Sequence, residues 1–145
     1  MVPDLIPFEA WHLLAFEGRD GDAIESAETA YIKQIKGPAF TAVINDRVIG
    51  CSGIQIIWPG VGMAWSYYTK ELTTDFPVWL TRITRRVLKD TIRAFALHRV
   101  ELVALEESEI NCKWALRLGF KPENGKAQCY TIDKKDVIRY EMVNG

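Results

Sequence analysis

Between residues 77 and 105 the chain changes its hydrophobic period in a way that leaves few folds open. Pro77 suits a first helical turn, where its missing N–H costs nothing. Leu80, Ile83, Val87, Thr91 and Ala94 then return every three or four residues and predict a helix over 77–95, the longest in the chain. Residues 98–105 (HRVELVAL) alternate poorly and are mostly apolar, as expected of a strand covered on both faces. A long helix directly ahead of such a strand supplies the crossover that parallel pairing needs. The sheet is therefore expected to contain a parallel pair, with a helix laid across one face.

The flanking segments fill in the rest. Residues 8–16 place Trp11, Leu14 and Ala15 at helical spacing, and Gly18-Arg19-Asp20-Gly21 breaks the pattern. Over 22–35, Ala23, Ile24, Ala27, Tyr31 and Ile35 repeat in the same way, closed by Gly37-Pro38, and predict a second helix. The Val- and Ile-rich residues 40–44 and 48–57, around Asn45-Asp46-Arg47, predict a β-hairpin. After a turn at 58–62, residues 63–69, with Trp65, Tyr67 and Tyr68, add a third antiparallel strand. Residues 108–118 predict a short helix stopped by Gly119. Residues 127–132 and 137–143, around Asp133-Lys134-Lys135-Asp136, predict a closing hairpin. With no linker, repeat or low-complexity segment, residues 1–145 are read as a single α/β (α+β) domain, a mixed and mostly antiparallel sheet flanked by helices.

A formal net charge of −1 gives no general attraction to nucleic acid or anionic lipid. No apolar run approaches the roughly 20 residues that cross a bilayer, and residues 1–10 lack the features of a secretory leader, so the chain is read as cytosolic or packaged from the cytosol. Cys51, Cys112 and Cys129 are odd in number and lack C-x-x-C spacing or an adjacent histidine. They are read as packing residues, with no metal site or disulfide framework. His12 and His98 have no paired nucleophile and are read the same way. Arg82, Arg85, Arg86, Lys89 and Arg93 make one basic ridge opposite the apolar stripe of the long helix. The ridge is a solvated face, or a docking surface for an acidic partner or nucleic acid.

Residues 108–120 (SEINCKWALRLGF) end on Leu118-Gly119-Phe120, where glycine can take the left-handed position that caps a helix while Leu118 and Phe120 anchor both sides of the cap. Together with the apolar strand, the long helix and the closing hairpin, this run resembles the GNAT (GCN5-related N-acetyltransferase) superfamily over roughly residues 38–143. Gly37-Pro38-Ala39-Phe40, Val48-Ile49-Gly50-Cys51-Ser52-Gly53, the run from Trp58 to Trp65 and the pair Trp114-Ala115 resemble, more closely, small GNAT-like proteins of tailed phages, which include acetyltransferases and internal virion proteins. The resemblance implies a V-shaped splay between two central parallel strands, here 63–69 and 99–105. The pantetheine of acetyl-CoA would pair there with exposed backbone, at Trp65 and Ser66.

Two departures from the family pattern bear on chemistry. The family's glycine-rich diphosphate loop corresponds here to residues 71–79 (ELTTDFPVW), which contain no glycine; Pro77 removes a donor, and Asp75 brings a carboxylate unless it turns away to cap the helix. Thr73, Thr74 and Arg82 are the candidate substitutes. Four residues before Gly119, where many members carry the tyrosine that protonates the departing thiolate, this chain has Ala115, and Trp114 beside it cannot donate comparably. The family's asparagine near that helix start corresponds to Ser108, with Asn111 one turn later. Ser66, Tyr67 and Tyr68 are candidates to act in the tyrosine's place, or strand residues lining core and cleft. Glu106 and Glu107 are candidate bases at a strand end, or solvated carboxylates. The candidate catalytic set is thus Glu106, Tyr67 and Ser108, and the candidate cofactor set is Trp65, Ser66, Thr74, Arg82 and Asn111. The resemblance implies an acyl-CoA-dependent N-acetyltransferase with a degenerate diphosphate loop and a small-molecule or protein amine as acceptor. The alternative is a non-catalytic GNAT-like phage protein, a virion component or host-protein-binding module, acting through the basic ridge or the aromatics Trp58, Trp65 and Tyr67.

Overall fold

Residues 1–15 and 26–144 are described by a computed structural model. In chain order it contains strand β1 (Asp4–Pro7), helices α1 (Ala10–Ala15) and α2 (Ala27–Ile35), and strands β2 (Ala39–Ile44), β3 (Arg47–Trp58) and β4 (Val61–Tyr68). Helices α3 (Lys70–Asp75) and α4 (Pro77–Ala94) follow, then strand β5 (Arg99–Leu105), helix α5 (Glu109–Arg117), and strands β6 (Lys121–Ala127) and β7 (Val137–Val143). Among the described residues these strands form one seven-stranded sheet in the order β1-β2-β3-β4-β5-β7-β6. The break expected at Gly18-Arg19-Asp20-Gly21, with Phe16 before it and the first turn expected at 22–25 after it, lies outside the described residues. Helix α2 emerges with Ser26 as its N-cap, the hydroxyl accepting from the Thr29 N–H.

The α/β architecture expected from the sequence is the one observed, and the crossover is its pivot. Helix α4 starts on Pro77 and delivers β5 alongside β4 as the parallel pair of a sheet whose other pairs are antiparallel. The β2–β3 turn is closed by Asn45 and Asp46, both at positive φ, as a two-residue turn matched to strand twist requires. In β3, Ile49 is an extra residue between the pairs Val43↔Val48 and Ala42↔Gly50. This bulge lets Ile49 join the core beneath α3 and α4, with Tyr68, Leu72 and Leu80, while Cys51 faces Phe8, Leu13 and Ala30 on the opposite side. The third cluster, Leu88, Leu97, Val100, Ala104, Ala115 and Phe120 among its members, joins α4 and α5 to β5.

Helix α5 ends as its sequence indicates. Gly119 takes a φ of +100°, its N–H donates to the Leu116 carbonyl, and the Phe120 N–H reaches back to Ala115. Phe120 is thereby driven into the core.

The closing hairpin differs from expectation. Its first strand is Lys121–Ala127, not residues 127–132. That strand is a polar sheet edge, so no apolar pattern marks it, and the apolar-looking run after it is broken by Cys129 at positive φ. The third strand begins at Val61, two residues earlier than expected, and β1 and α3 are additional elements. On α4 the buried stripe is carried by Leu80, Leu88 and Thr91, whereas Ala94 is exposed; the basic ridge from Arg82 to Arg93 is exposed throughout.

Cys51 and His12 are buried, in keeping with packing roles. Burial pushes the Cys51 thiol up to about 12, so it is a neutral hydrophobe at any physiological pH. His12 Nδ1 accepts from the Glu9 N–H (3.0 Å) and lies 2.8 Å from Thr41 Oγ1, which leaves its proton on Nε2. Burial lowers its pKa against the opposing pull of the Glu9 carboxylate.

Two outcomes follow for stability. Gly119→Ala adds a Cβ that meets only Met142 at 3.5 Å, so its cost is conformational, roughly 1–2 kcal/mol in urea unfolding. Because the unfolded chain takes up a proton that folded His12 refuses, the His12 contribution is complete above about pH 6.5 and is lost as pH falls below it. Urea midpoints measured between about pH 7.5 and 5.5 should therefore decline with acidity in the native chain and decline less in His12→Gln.

Candidate active site

Strand β4 pairs with β3 along nearly its whole length but with β5 only at Val61↔Arg99, Gly62↔Val100 and Met63↔Glu101. Beyond that apex the two strands part. The closed end is held by backbone: the His98 and Arg99 N–H groups both donate to the Gly60 carbonyl, at 2.9 and 3.1 Å. Gly60 has a φ of +89°, and a Cβ there would fall 2.2 Å from His98 Cε1, so a side chain at the apex would be strained and would have to displace the His98 ring. Arg99 adds a side-chain clamp, bonding Glu101 at 2.7 Å together with Glu123 on β6 and Glu141 on β7. These carboxylates, Glu101 foremost, hold the guanidinium above its already high pKa.

At the open end each strand is held by its outer neighbour alone. Past Glu101, β5 stays paired to β7 from Leu102↔Tyr140 to Leu105↔Val137, while β4 stays with β3 as far as Tyr68↔Gly50. A second bulge, at Ile57 in β3, sits beside the apex, and bulges increase local twist. Five residues of β4 (64–68) and four of β5 (102–105) face each other without pairing.

Around this gap lies a cleft of about 850 Å³ that runs through the sheet. On one side it is walled by the apolar face of α4, including Ile83, Val87 and Leu88, and by Trp114 and Ala115 of α5. On the other it opens past Trp65, Tyr67 and Lys33 and beneath residues 130–133 of the β6–β7 loop. The Trp65 ring packs edge-on against Phe8, with centroids 5.1 Å apart, and Lys33 Nζ stands 5.6 Å from its centroid. Its indole Nε1 is buried with no hydrogen-bond partner among the described residues, a costly defect of the kind that concentrates at functional sites.

Of the candidate residues named from the sequence, Trp65, Ser66, Tyr67, Tyr68 and Asn111 line this cleft. Thr73, Thr74, Arg82, Glu106, Glu107 and Ser108 stand outside its lining. Ser108 is the N-cap of α5, its hydroxyl accepting from the Asn111 N–H at 3.4 Å. Glu106 is exposed and paired with Lys126 at 3.1 Å, and Glu107 is paired with Lys135 at 2.7 Å. Thr74 and Arg82 are exposed on α3 and α4. Among the described lining residues Asp133 is the one carboxylate, and the Thr131 hydroxyl holds its pKa below the ordinary range, leaving it a weak base.

Where a glycine-rich loop would follow β4, the chain forms α3 instead. Thr69 caps it, accepting from the Leu72 N–H, and Leu72 is fully buried beneath. The first turn of α4, which begins on Pro77 and has no side-chain cap, instead faces a smaller groove of about 230 Å³ shared with α5. That groove meets the main cleft at Tyr68, Leu80, Asn111 and Trp114. Lys113 and Arg117, which line it, were not singled out from the sequence, because basic residues late in a helix read as complements of its dipole. Tyr68 is the buried phenol at the junction, edge-on to Trp114 with centroids 6.4 Å apart. An acyl-CoA thus fits in part: an extended pantetheine matches the open strand edges, whereas the family's glycine cradle has no counterpart in this chain.

Among the described residues no group of three or more His, Cys, Asp or Glu side chains gathers as a metal site, and no helix is long and apolar enough to cross a membrane. No protein-family model matches the chain, and no curated protein matches it in sequence. Solved structures do match. A spermidine N-acetyltransferase SpeG mutant from Vibrio cholerae superposes with a TM-score of 0.70 at 15% identity, over 97% of this chain and 94% of that one. A ribosomal-protein-S5-alanine acetyltransferase from Vibrio fischeri gives 0.71 at 16% identity, over 99% and 94%. An IAA acetyltransferase from Bacillus cereus gives 0.72 at 13% identity, over 97% and 99%. At such identities the likeness is one of fold, and the fold is that of the GNAT acetyltransferases.

Proposed function

We propose that the chain is an acyl-CoA-dependent N-acetyltransferase with an amine acceptor, and the observation that carries this reading is the parting of β4 from β5 after three residue pairs around a cleft of about 850 Å³. Sheets gain stability by pairing neighbouring strands to their ends, so parallel strands held apart leave main-chain groups without ladder partners. An extended, amide-bearing chain such as pantetheine satisfies such groups, much as an added strand does. The contact-only alternative leaves this opening without a role. Proteins of the same fold are named for acetylating spermidine and the alanine of ribosomal protein S5, so a small amine and a protein N-terminus are the two acceptor classes to consider.

Acyl-CoA, when bound, supplies a thioester that an amine can attack directly, so the protein needs no nucleophile of its own. The protein's task is to orient, to exclude competing water and to move protons. With Glu106 tied to Lys126 and Asp133 a weak base, the acceptor loses its proton to water in the open side of the cleft, oriented by the hydroxyls of Ser66 and Tyr67. In place of the tyrosine that Ala115 replaces, Tyr68 is the proton donor to the leaving group, since it is the buried phenol packed against the neighbouring Trp114.

Calorimetric titration with acetyl-CoA is expected to show saturable one-site binding, followed by CoA release when spermidine or an alanine-initiated peptide is added. Tyr68→Phe should lower kcat by roughly 10²-fold with KM little changed. Silence at millimolar acetyl-CoA would remove the acyl donor and the proposed activity with it.

A further inference from the structure

The groove between α4 and α5 answers a question that the missing glycine loop raises. If an acyl-CoA lies in the splay, its phosphate-bearing arm must leave the cleft past charge of the right sign, and residues 71–79 provide no backbone cradle. The groove of about 230 Å³ is continuous with the cleft through Asn111 and Trp114, and its far end is lined by Lys113 and Arg117. These two are one helical turn apart on α5, so their side chains share a face. Arg117 has no acidic partner among the described residues. Arg85 crosses from α4 to donate to the Arg117 carbonyl at 2.7 Å, which ties the end of α5 to α4, but Arg85 itself lies outside the groove lining. Against them stands Glu109, which pairs with Lys113 at 2.8 Å on the exposed surface, where such pairs are weak and exchangeable. Thr73 and Thr81, on the opposite wall, donate their hydroxyls to Lys70 and Pro77 carbonyls, so the positive charge has to come from the α5 side.

We propose that Lys113 and Arg117 hold the diphosphate of acyl-CoA in this groove, a side-chain clamp on α5 in place of the backbone cradle after β4. The inference rests on the acyl-CoA reading and deepens it. A guanidinium and an ammonium one turn apart can each engage a phosphate oxygen of a diphosphate, the guanidinium through two parallel N–H groups. The start of α4 forms the facing wall, and the positive end of its dipole favours an anion in the same space. The ridge residues farther along α4, Arg93 among them, lie outside the groove lining.

The test is calorimetric titration of the full chain with CoA, comparing the native protein with Lys113→Ala/Arg117→Ala and with Arg93→Ala. All three positions are exposed, and unchanged circular dichroism and melting temperature would show that each variant is folded. The double variant is expected to bind CoA at least 30-fold more weakly and to lose most of the salt dependence of binding, while Arg93→Ala keeps native affinity. CoA binding by the native chain with equal affinity in the double variant would overturn the clamp and leave the acyl-CoA reading standing. A loss of affinity in Arg93→Ala as large as in the double variant would also overturn it, because the effect would then be one of overall charge. No CoA binding by the native chain would overturn both.

Discussion

Three residue pairs decide what this molecule can do. At Val61–Met63 and Arg99–Glu101 two parallel strands are bonded; one residue later each is committed to a different neighbour, β4 to β3 and β5 to β7. Each strand keeps the antiparallel ladder on its other side, so the sheet stays continuous around the gap. The apex in turn is fixed by Gly60, whose carbonyl takes two N–H groups and whose conformation would strain a side chain, and by Arg99, which gathers carboxylates from three strands. The cleft is thus a property of the sheet's hydrogen-bond assignments, and the helices add its walls.

What surrounds the opening determines its chemistry. Among the described residues the α4 and α5 walls are mostly apolar and carry no carboxylate, while the face toward α1 and α2 presents the indole of Trp65, the phenol of Tyr67 and the ammonium of Lys33. Two positions depart from the pattern of the proteins it resembles. After β4 the chain forms a capped six-residue helix with Leu72 buried beneath it. At position 115 an alanine is packed in the core, and the buried phenol of Tyr68 lies edge-on to the neighbouring Trp114.

The sequence carried the skeleton well and the site only in part. The crossover was legible because Pro77, the 3.6-residue stripe and the apolar run at 98–105 each depend on backbone geometry and burial. Asn45-Asp46 and Gly119 were legible because positive φ restricts the residues that can stand there. Strand β6 was not, since an edge strand reading KPENGKA buries almost nothing and its pairing partner alone defines it. Trp65, Ser66, Tyr67, Tyr68 and Asn111 reached the cleft because the strand and the short helix that carry them border the gap. Glu106 and Arg82 did not, because a strand's end and a helix's outer face are set by neighbours that no local pattern reveals. The likeness to small phage proteins rests on short runs such as Trp58–Trp65, and the fold does not distinguish them from bacterial acetyltransferases.

Residue-resolved hydrogen exchange on the free chain, repeated with saturating acetyl-CoA, tests the splay most directly. Alternate amides of 64–68 and 102–105 that point across the gap should exchange quickly in the free chain, while those directed to β3 and β7 stay protected; the ligand should slow the first set and leave the second unchanged. Equal protection of both sets before any ligand is added would mean that β4 and β5 are paired to their ends, and the cleft, with the activity assigned to it, would not exist.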